Sequence, residues 1–297
     1  NTMIGSETGY NSVDVDRTVL LGKNAGYAGN MTSDADGTIS IGYDSGRAVT
    51  DGQYNTHVGY KSGSENNGDK NVAIGYLAFS DTLASLQNDN NIAIGYNAMS
   101  GTWLTGASTN NVAIGTSTMT GPMNASNDNT ALGHTALNAL TTGDSNIAIG
   151  SGVGLSLNTG SDNVIIGTDA GDAMTDNTGN VAIGKEALTA ADNSDNYNVA
   201  IGLQAMTAVN NEGVADYNVG IGFQTLSGGT STGTNNVAIG RASLSHGSAA
   251  CDSAVSIGYG ALAGATAAGA DNTIAIGTSA LAALTSGAGN VAIGFQA

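Results

Sequence analysis

A pentamer ending in glycine recurs along the whole chain, and its regular spacing limits the folds that the chain can adopt. Typical copies are NVAIG at 71–75, NIAIG at 91–95 and NVAIG at 290–294, and successive copies stand 16–20 residues apart. The seventeen glycines are Gly5, Gly22, Gly42, Gly59, Gly75, Gly95, Gly115, Gly133, Gly150, Gly167, Gly184, Gly202, Gly222, Gly240, Gly258, Gly277 and Gly294. Because the repeat leaves no linker, we predict a single repeat domain over residues 1–297.

The pentamer itself has the pattern of a short strand. β-Branched residues flank a small one, as Val72 and Ile74 flank Ala73, and glycine and a polar run follow. Such alternation predicts a strand and then a turn. Residues two apart share one face of a strand, so we expect Val and Ile to fill the interior and the small residue to face outward. Replacing Ile183 or Ile201 with Asp is then expected to disrupt the core.

A strand in the same register every 16–20 residues predicts one coil per repeat, with parallel strands stacked on one another. The expected fold class is all-β, a parallel β-solenoid of about 17 coils. The Asn that opens most pentamers is expected to form a hydrogen-bonded ladder between coils. Glycine at the strand exit supplies backbone conformations closed to other residues.

The small outward column also bears on assembly, because small side chains let a second backbone approach closely. We therefore predict a homotrimer whose chains lie side by side. A monomeric solenoid with an unused outer face of small residues is the alternative. No segment resembles a cap for the terminal coils, so we expect a fragment of a longer fibre without end caps.

Composition argues against several classes of function. The chain has 24 acidic and seven basic residues, a net charge of −17 at pH 7, which disfavours nucleic acid and anionic membrane surfaces as partners. No run of eighteen apolar residues is present, so no membrane insertion is expected in this segment. Cys251 is the only cysteine, which excludes an intrachain disulfide. No catalytic or metal-binding motif occurs, so we expect neither an enzyme nor a cofactor.

The repeat unit, seen in NNIAIGYNAM, GNVAIGKEAL and GNVAIGFQA, resembles the head repeat of trimeric autotransporter adhesins of the Yersinia adhesin type. It is similar to the longer form of that repeat found in phage tail-fibre and bacterial surface fibre proteins. The resemblance covers all seventeen units. It implies a left-handed parallel β-roll, three chains around one axis, and an extracellular location on a virion fibre or a bacterial surface.

The function that follows from this resemblance is that of a shaft or head in a trimeric attachment fibre, with a cell-surface glycan or protein as receptor. The alternative is an architectural extracellular filament or surface-layer component without receptor binding of its own. These two functions differ in what is expected beyond the repeats: a receptor-binding tip or virion-docking segment for the first, and subunit-to-subunit polymerisation for the second.

Aromatic residues are the candidate receptor contacts. Tyr43, Tyr60, Tyr76 and Tyr96 each follow a pentamer glycine, so stacked coils would arrange them as a ladder about 5 Å apart. Such a ladder is predicted either to bind a glycan or to stiffen the coil through ring stacking. Trp103 stands in one of the longest units, where it is expected either to contact a receptor from a loop or to pack over a neighbouring coil.

His57 is the candidate ion ligand. It occupies the column that holds a small residue in nearly every other repeat. If that column faces a threefold axis, three copies of His57 would converge and hold an anion or a metal. The alternative is a single tolerated substitution.

Overall fold

The computed structural model describes residues 1–27, 31–32, 35–65, 67–80, 87–103, 106–189, 195–207, 215–228, 233–245, 251–264 and 270–297. These residues form seventeen strands of three residues each and contain no α-helix. None of the described segments is a helix long and apolar enough to cross a membrane. The chain divides into two compact units, Asn1–Asn146 and Ile147–Ala297.

The first unit is a stack of parallel strands, one from each repeat. Each strand pairs with the next along the chain, and equivalent pentamer positions lie opposite one another, as Ala93 does between Ala73 and Ala113. Its strands are β1 Thr2–Ile4, β2 Val19–Leu21, β3 Ile39–Ile41, β4 Thr56–Val58, β5 Val72–Ile74, β6 Ile92–Ile94, β7 Val112–Ile114 and β8 Thr130–Leu132.

The second unit repeats the same arrangement. Ala182, for example, pairs with Ile165 on one side and Ala200 on the other. Its strands are β9 Ile147–Ile149, β10 Val164–Ile166, β11 Val181–Ile183, β12 Val199–Ile201, β13 Val219–Ile221, β14 Val237–Ile239, β15 Val255–Ile257, β16 Ile274–Ile276 and β17 Val291–Ile293. Each unit is therefore a parallel β-solenoid, and the predicted all-β class and one-strand-per-repeat register are confirmed.

Buried asparagines connect successive coils. The backbone N–H of Asn91 donates to Oδ1 of Asn71 at 2.8 Å, that of Asn111 to Asn91 at 3.0 Å, and that of Asn129 to Asn111 at 3.0 Å. The second unit carries the same series through Asn163, Asn180, Asn198, Asn218 and Asn236. These side chains are at most 3% exposed. The predicted ladder is confirmed.

A second ladder, made largely of carboxylates, lies two residues before the asparagines. Oδ1 of Asp89 accepts the backbone N–H of Asp69 at 2.7 Å, and Oδ1 of Asp216 accepts that of Asn196 at 2.7 Å. Many acidic residues of the connectors therefore satisfy backbone donors of the preceding coil instead of serving only as surface charge.

The expected orientation of the strands is wrong. The middle residue of nearly every strand points into the coil, and Ala73 and Ala182 are fully buried, whereas the flanking Val and Ile are mostly half-buried. Ile183 and Ile201 are among these half-buried residues, so they do not form the core. A coil of 16–20 residues is too narrow for two rows of β-branched side chains, so the small residue faces inward. We call these middle positions the core column.

The residue at the fourth position after the pentamer glycine fills the remaining space inside the coil. We call this position the turn column. Several coils with Ala in the core column have a large buried residue in the turn column: Phe79, Met99, Met119, Leu137, Leu188 and Met206. Several coils with Gly in the turn column have a larger core residue: Leu20 with Gly26, His57 with Gly63, and Ile165 with Gly171. Such coils are filled from one position or the other.

The backbone of the turn column explains why glycine recurs there. Phe79 and Met99 have φ of 53° and 52°, a left-handed conformation that costs about 1 kcal/mol for a residue with a Cβ. Full burial of each side chain contributes about 2 kcal/mol of stabilisation, which exceeds that cost. Glycine adopts the conformation without strain but leaves the space to be filled by another residue.

The pentamer glycine is required by the close approach of coils. Gly75 has φ of 137°, and a Cβ placed there would lie 2.3 Å from the carbonyl oxygen of Gly95 in the next coil. Any side chain at this point would push two coils apart.

Candidate functional site

The outer face of the strands is a regular apolar surface of each unit. The first and third residues of each strand point outward, and most remain half-buried. The exposed fraction is 37% for Ile74, 44% for Leu132 and 41% for Ile147, and it is larger in the terminal strands β1 and β17. This outer strand face consists of Val, Ile, Leu and Thr, so it presents mainly β-branched side chains to whatever lies against it.

The tyrosine ladder of the first unit has the predicted geometry. Ring centroids are 5.3 Å apart for Tyr43 and Tyr60, 5.0 Å for Tyr60 and Tyr76, and 5.3 Å for Tyr76 and Tyr96, with interplanar angles of 7–11°. The four residues are 41–52% exposed. The ladder is therefore a surface feature held by the strand register.

Stacking limits what this ladder offers to a ligand. Tyr60 and Tyr76 each have a tyrosine ring against both faces, so their exposed parts are ring edges and hydroxyl groups. A sugar that binds aromatic residues packs its C–H groups on a ring face, and within the ladder those faces are occupied. The arrangement favours stiffening of the coil, and glycan binding by the rings stays a prediction.

Trp103 does not form a surface contact. Its side chain is fully buried and packs edge-on against Phe79, with ring centroids 5.1 Å apart and an interplanar angle of 68°. The indole Nε1 has no hydrogen-bond partner among the described residues. The prediction that it reaches a receptor is wrong, and the alternative that it packs over a neighbouring coil is confirmed.

His57 lies inside its own coil, so the premise of a site on a threefold axis is wrong. The side chain is fully buried, its Nδ1 lies 3.5 Å from Oγ of Ser40, and its Nε2 has no partner among the described residues. Burial lowers the pKa of His57 to about 4, because removal from water disfavours the charged imidazolium. Its role is to fill the coil.

Two further aromatic clusters lie in the second unit, the first in the column directly after the pentamer glycine and the second in the column directly before the pentamer Asn. The guanidinium Cζ of Arg241 lies 5.7 Å from the ring centroid of Phe223 and 5.5 Å from that of Tyr259, at distances typical of cation–π contacts. Tyr197 and Tyr217 stack with centroids 5.2 Å apart. These contacts could be found from the sequence, because the parallel strand register places equivalent residues of successive repeats next to one another.

Ion pairs and metal-binding clusters are sparse in the part of the chain that the structure describes. Arg17 pairs with Asp36 at 2.9 Å, and the pKa of that carboxyl is lowered by hydrogen bonds from the backbone of Asp16 and from Arg17. Lys185 pairs with Glu186 at 2.9 Å. Within the described ranges, no group of three or more His, Cys, Asp or Glu side chains is placed to hold a metal ion.

Comparisons of the chain with protein-family models, with curated proteins and with solved structures find no match. The resemblance of the pentamer to adhesin and fibre repeats therefore stays a sequence-based expectation, and the geometry of the two units carries the functional argument.

Proposed function

We propose that this chain is the repeat shaft of an extracellular attachment fibre in which three copies lie side by side. The observation that carries the proposal is the outer strand face, which recurs in each unit with its apolar side chains only half-buried. An extended apolar surface of this kind is costly in water and is typical of an interface. The side-by-side contact is thus assigned to the Val and Ile columns, not to the small residues.

The fibre and attachment parts of the proposal are supported by the resemblance of the pentamer to adhesin and tail-fibre repeats, which also implies left-handed winding. The acidic net charge of −17 suits a solvated extracellular surface. Attachment would be to a glycan or protein on another cell.

One observation favours the alternative function, an architectural filament without receptor binding. The inner tyrosines stack on one another, and Trp103 is buried, so most of the aromatic residues expected to contact a receptor pack instead against other side chains of the chain. A filament without receptor binding would use the same shaft and the same contact between copies.

Sedimentation analysis of two matched variants tests the association. Ile201 is half-buried on the outer face and Ala200 is fully buried beside it. We expect the wild-type chain to sediment at three times 29.2 kDa, and Ile201→Asp to sediment as a monomer with an unchanged β circular dichroism spectrum. Ala200→Asp should unfold its coils because it buries a charge. A wild-type chain that sediments as a monomer would refute the proposal.

A further inference from the structure

We propose that a cavity on the first unit, between Arg47 and Lys61, binds a saccharide that carries a carboxylate. This inference rests on the proposed attachment function, and it names the chemical class of the ligand. It assigns the contact to the cations beside the tyrosine ladder instead of to the stacked rings.

The cavity is small and has mixed chemistry. Its volume is about 200 Å³, and its lining residues are Asp44, Arg47, Lys61, Ser64, Glu65 and Leu77. Pockets that hold drug-sized ligands measure about 300–1,000 Å³, so this cavity matches a single sugar ring better than an extended molecule.

Two cations in the cavity are available to a ligand. Arg47 and Lys61 are half-buried and form no ion pair with a described residue, although the chain as a whole is strongly acidic. The Asp44 carboxylate that also lines the cavity is only 7% exposed and accepts a hydrogen bond from Nδ2 of Asn24 at 2.9 Å. A guanidinium next to an ammonium is a favourable partner for a carboxylate.

The remaining walls select for a sugar over a bare anion. Glu65 is exposed and offers carboxylate oxygens to sugar hydroxyl groups, which are donors that acetate lacks. Leu77 gives an apolar patch for the C–H face of a ring. Nζ of Lys61 lies 5.7 Å from the ring centroid of Tyr60, which positions the ammonium at the edge of the ladder.

Calorimetric titration with three probes tests the proposal: methyl glucuronide, methyl glucoside and acetate. The first two differ only at C6, where the glucuronide has a carboxylate and the glucoside a hydroxymethyl group, and the third has a carboxylate without the ring. We expect methyl glucuronide to bind at least about tenfold more tightly than either of the others, a difference of about 1.4 kcal/mol. Equal affinity for glucuronide and glucoside, or for glucuronide and acetate, would overturn the proposal.

Charge-matched variants locate the site. Arg47→Gln and Lys61→Gln should each weaken glucuronide binding by about tenfold or more. Lys70→Gln removes one exposed positive charge from the same unit outside the cavity and should leave binding unchanged. An equal loss in Lys70→Gln would mean that overall charge, not the cavity, attracts the ligand, which contradicts the proposal.

Sedimentation and glucuronide titration together distinguish the saccharide site from the side-by-side assembly. A trimer by sedimentation that does not bind methyl glucuronide refutes the saccharide site and leaves the fibre. A monomer that binds methyl glucuronide with the expected dependence on Arg47 supports the site and refutes the side-by-side assembly.

Discussion

The imidazole of His57 occupies the space that a side chain at position 63 would need: a Cβ built on Gly63 would lie 2.2 Å from Cδ2 of His57. The same ring also approaches Gly46 of the preceding coil, where a Cβ would lie 2.9 Å from its Nδ1. The large core-column residue of this coil therefore requires a glycine in the turn column.

Exchange of the large residue between the two columns should restore packing. His57→Ala should lower the free energy of unfolding by about 2 kcal/mol through the cavity it leaves, and Gly63→Met should cost more because of the clash. The double variant should recover most of this loss, because Ala93 and Met99 form that combination in another coil. Urea unfolding followed by circular dichroism measures the three changes, and simple additivity would show that the columns are independent.

Stability should depend on pH through His57. Its pKa is about 4 in the folded chain, against 6.5 for an unperturbed histidine, so the unfolded chain binds a proton first as the pH falls. The resulting stability is complete above pH 6.5 and is lost between pH 6.5 and pH 4, by on the order of 3 kcal/mol. His57→Leu, which copies the Leu20–Gly26 pair, should abolish this slope in denaturant unfolding at several pH values.

The exposed His134 provides the matched control for that experiment. His134→Gln should keep the full wild-type slope over the same pH range. If His57→Leu and His134→Gln behaved alike, the slope would arise elsewhere.

Trp103 should report the interior of its coil, since it is the only tryptophan of the chain. Because it is fully buried, its fluorescence emission should be blue-shifted and resistant to acrylamide quenching until the coil unfolds. Trp103→Phe should lower the free energy of unfolding by about 1 kcal/mol or more through lost packing against Phe79. Strong quenching in the native state would show that the side chain faces solvent.

The asparagine ladder should be a major contributor to stacking. Asn129 donates from Nδ2 to the carbonyl of Gly143 at 2.9 Å and accepts the backbone N–H of Asn146 at 2.9 Å. Asn129→Ala leaves these buried groups unpaired, and it should cost about 2–3 kcal/mol in thermal or urea unfolding. Thr116→Ala, at an exposed position of the same unit, should change the stability by less than about 0.5 kcal/mol.

The alignment of equivalent positions in the repeats predicted the strands, their parallel register, the asparagine ladder and the stacked tyrosines. Each of these depends only on equivalent residues lying above one another. The orientation of Ala73 and its equivalents was predicted wrongly, because alternation separates two faces without saying which one is inside. The burial of His57 was missed as a consequence, although the pairing of a large residue in one column with glycine in the other was already present in the sequence.

The amino-acid sequence by itself determined one strand per repeat and the alignment of equivalent residues, because a fixed pattern every 16–20 residues favours a stacked arrangement. Only the tertiary structure decided which face is interior, because that depends on the width of a closed coil. The alternation of Val72, Ala73 and Ile74 is compatible with either orientation, but a narrow coil accepts the methyl group of Ala73 and leaves Ile74 37% exposed.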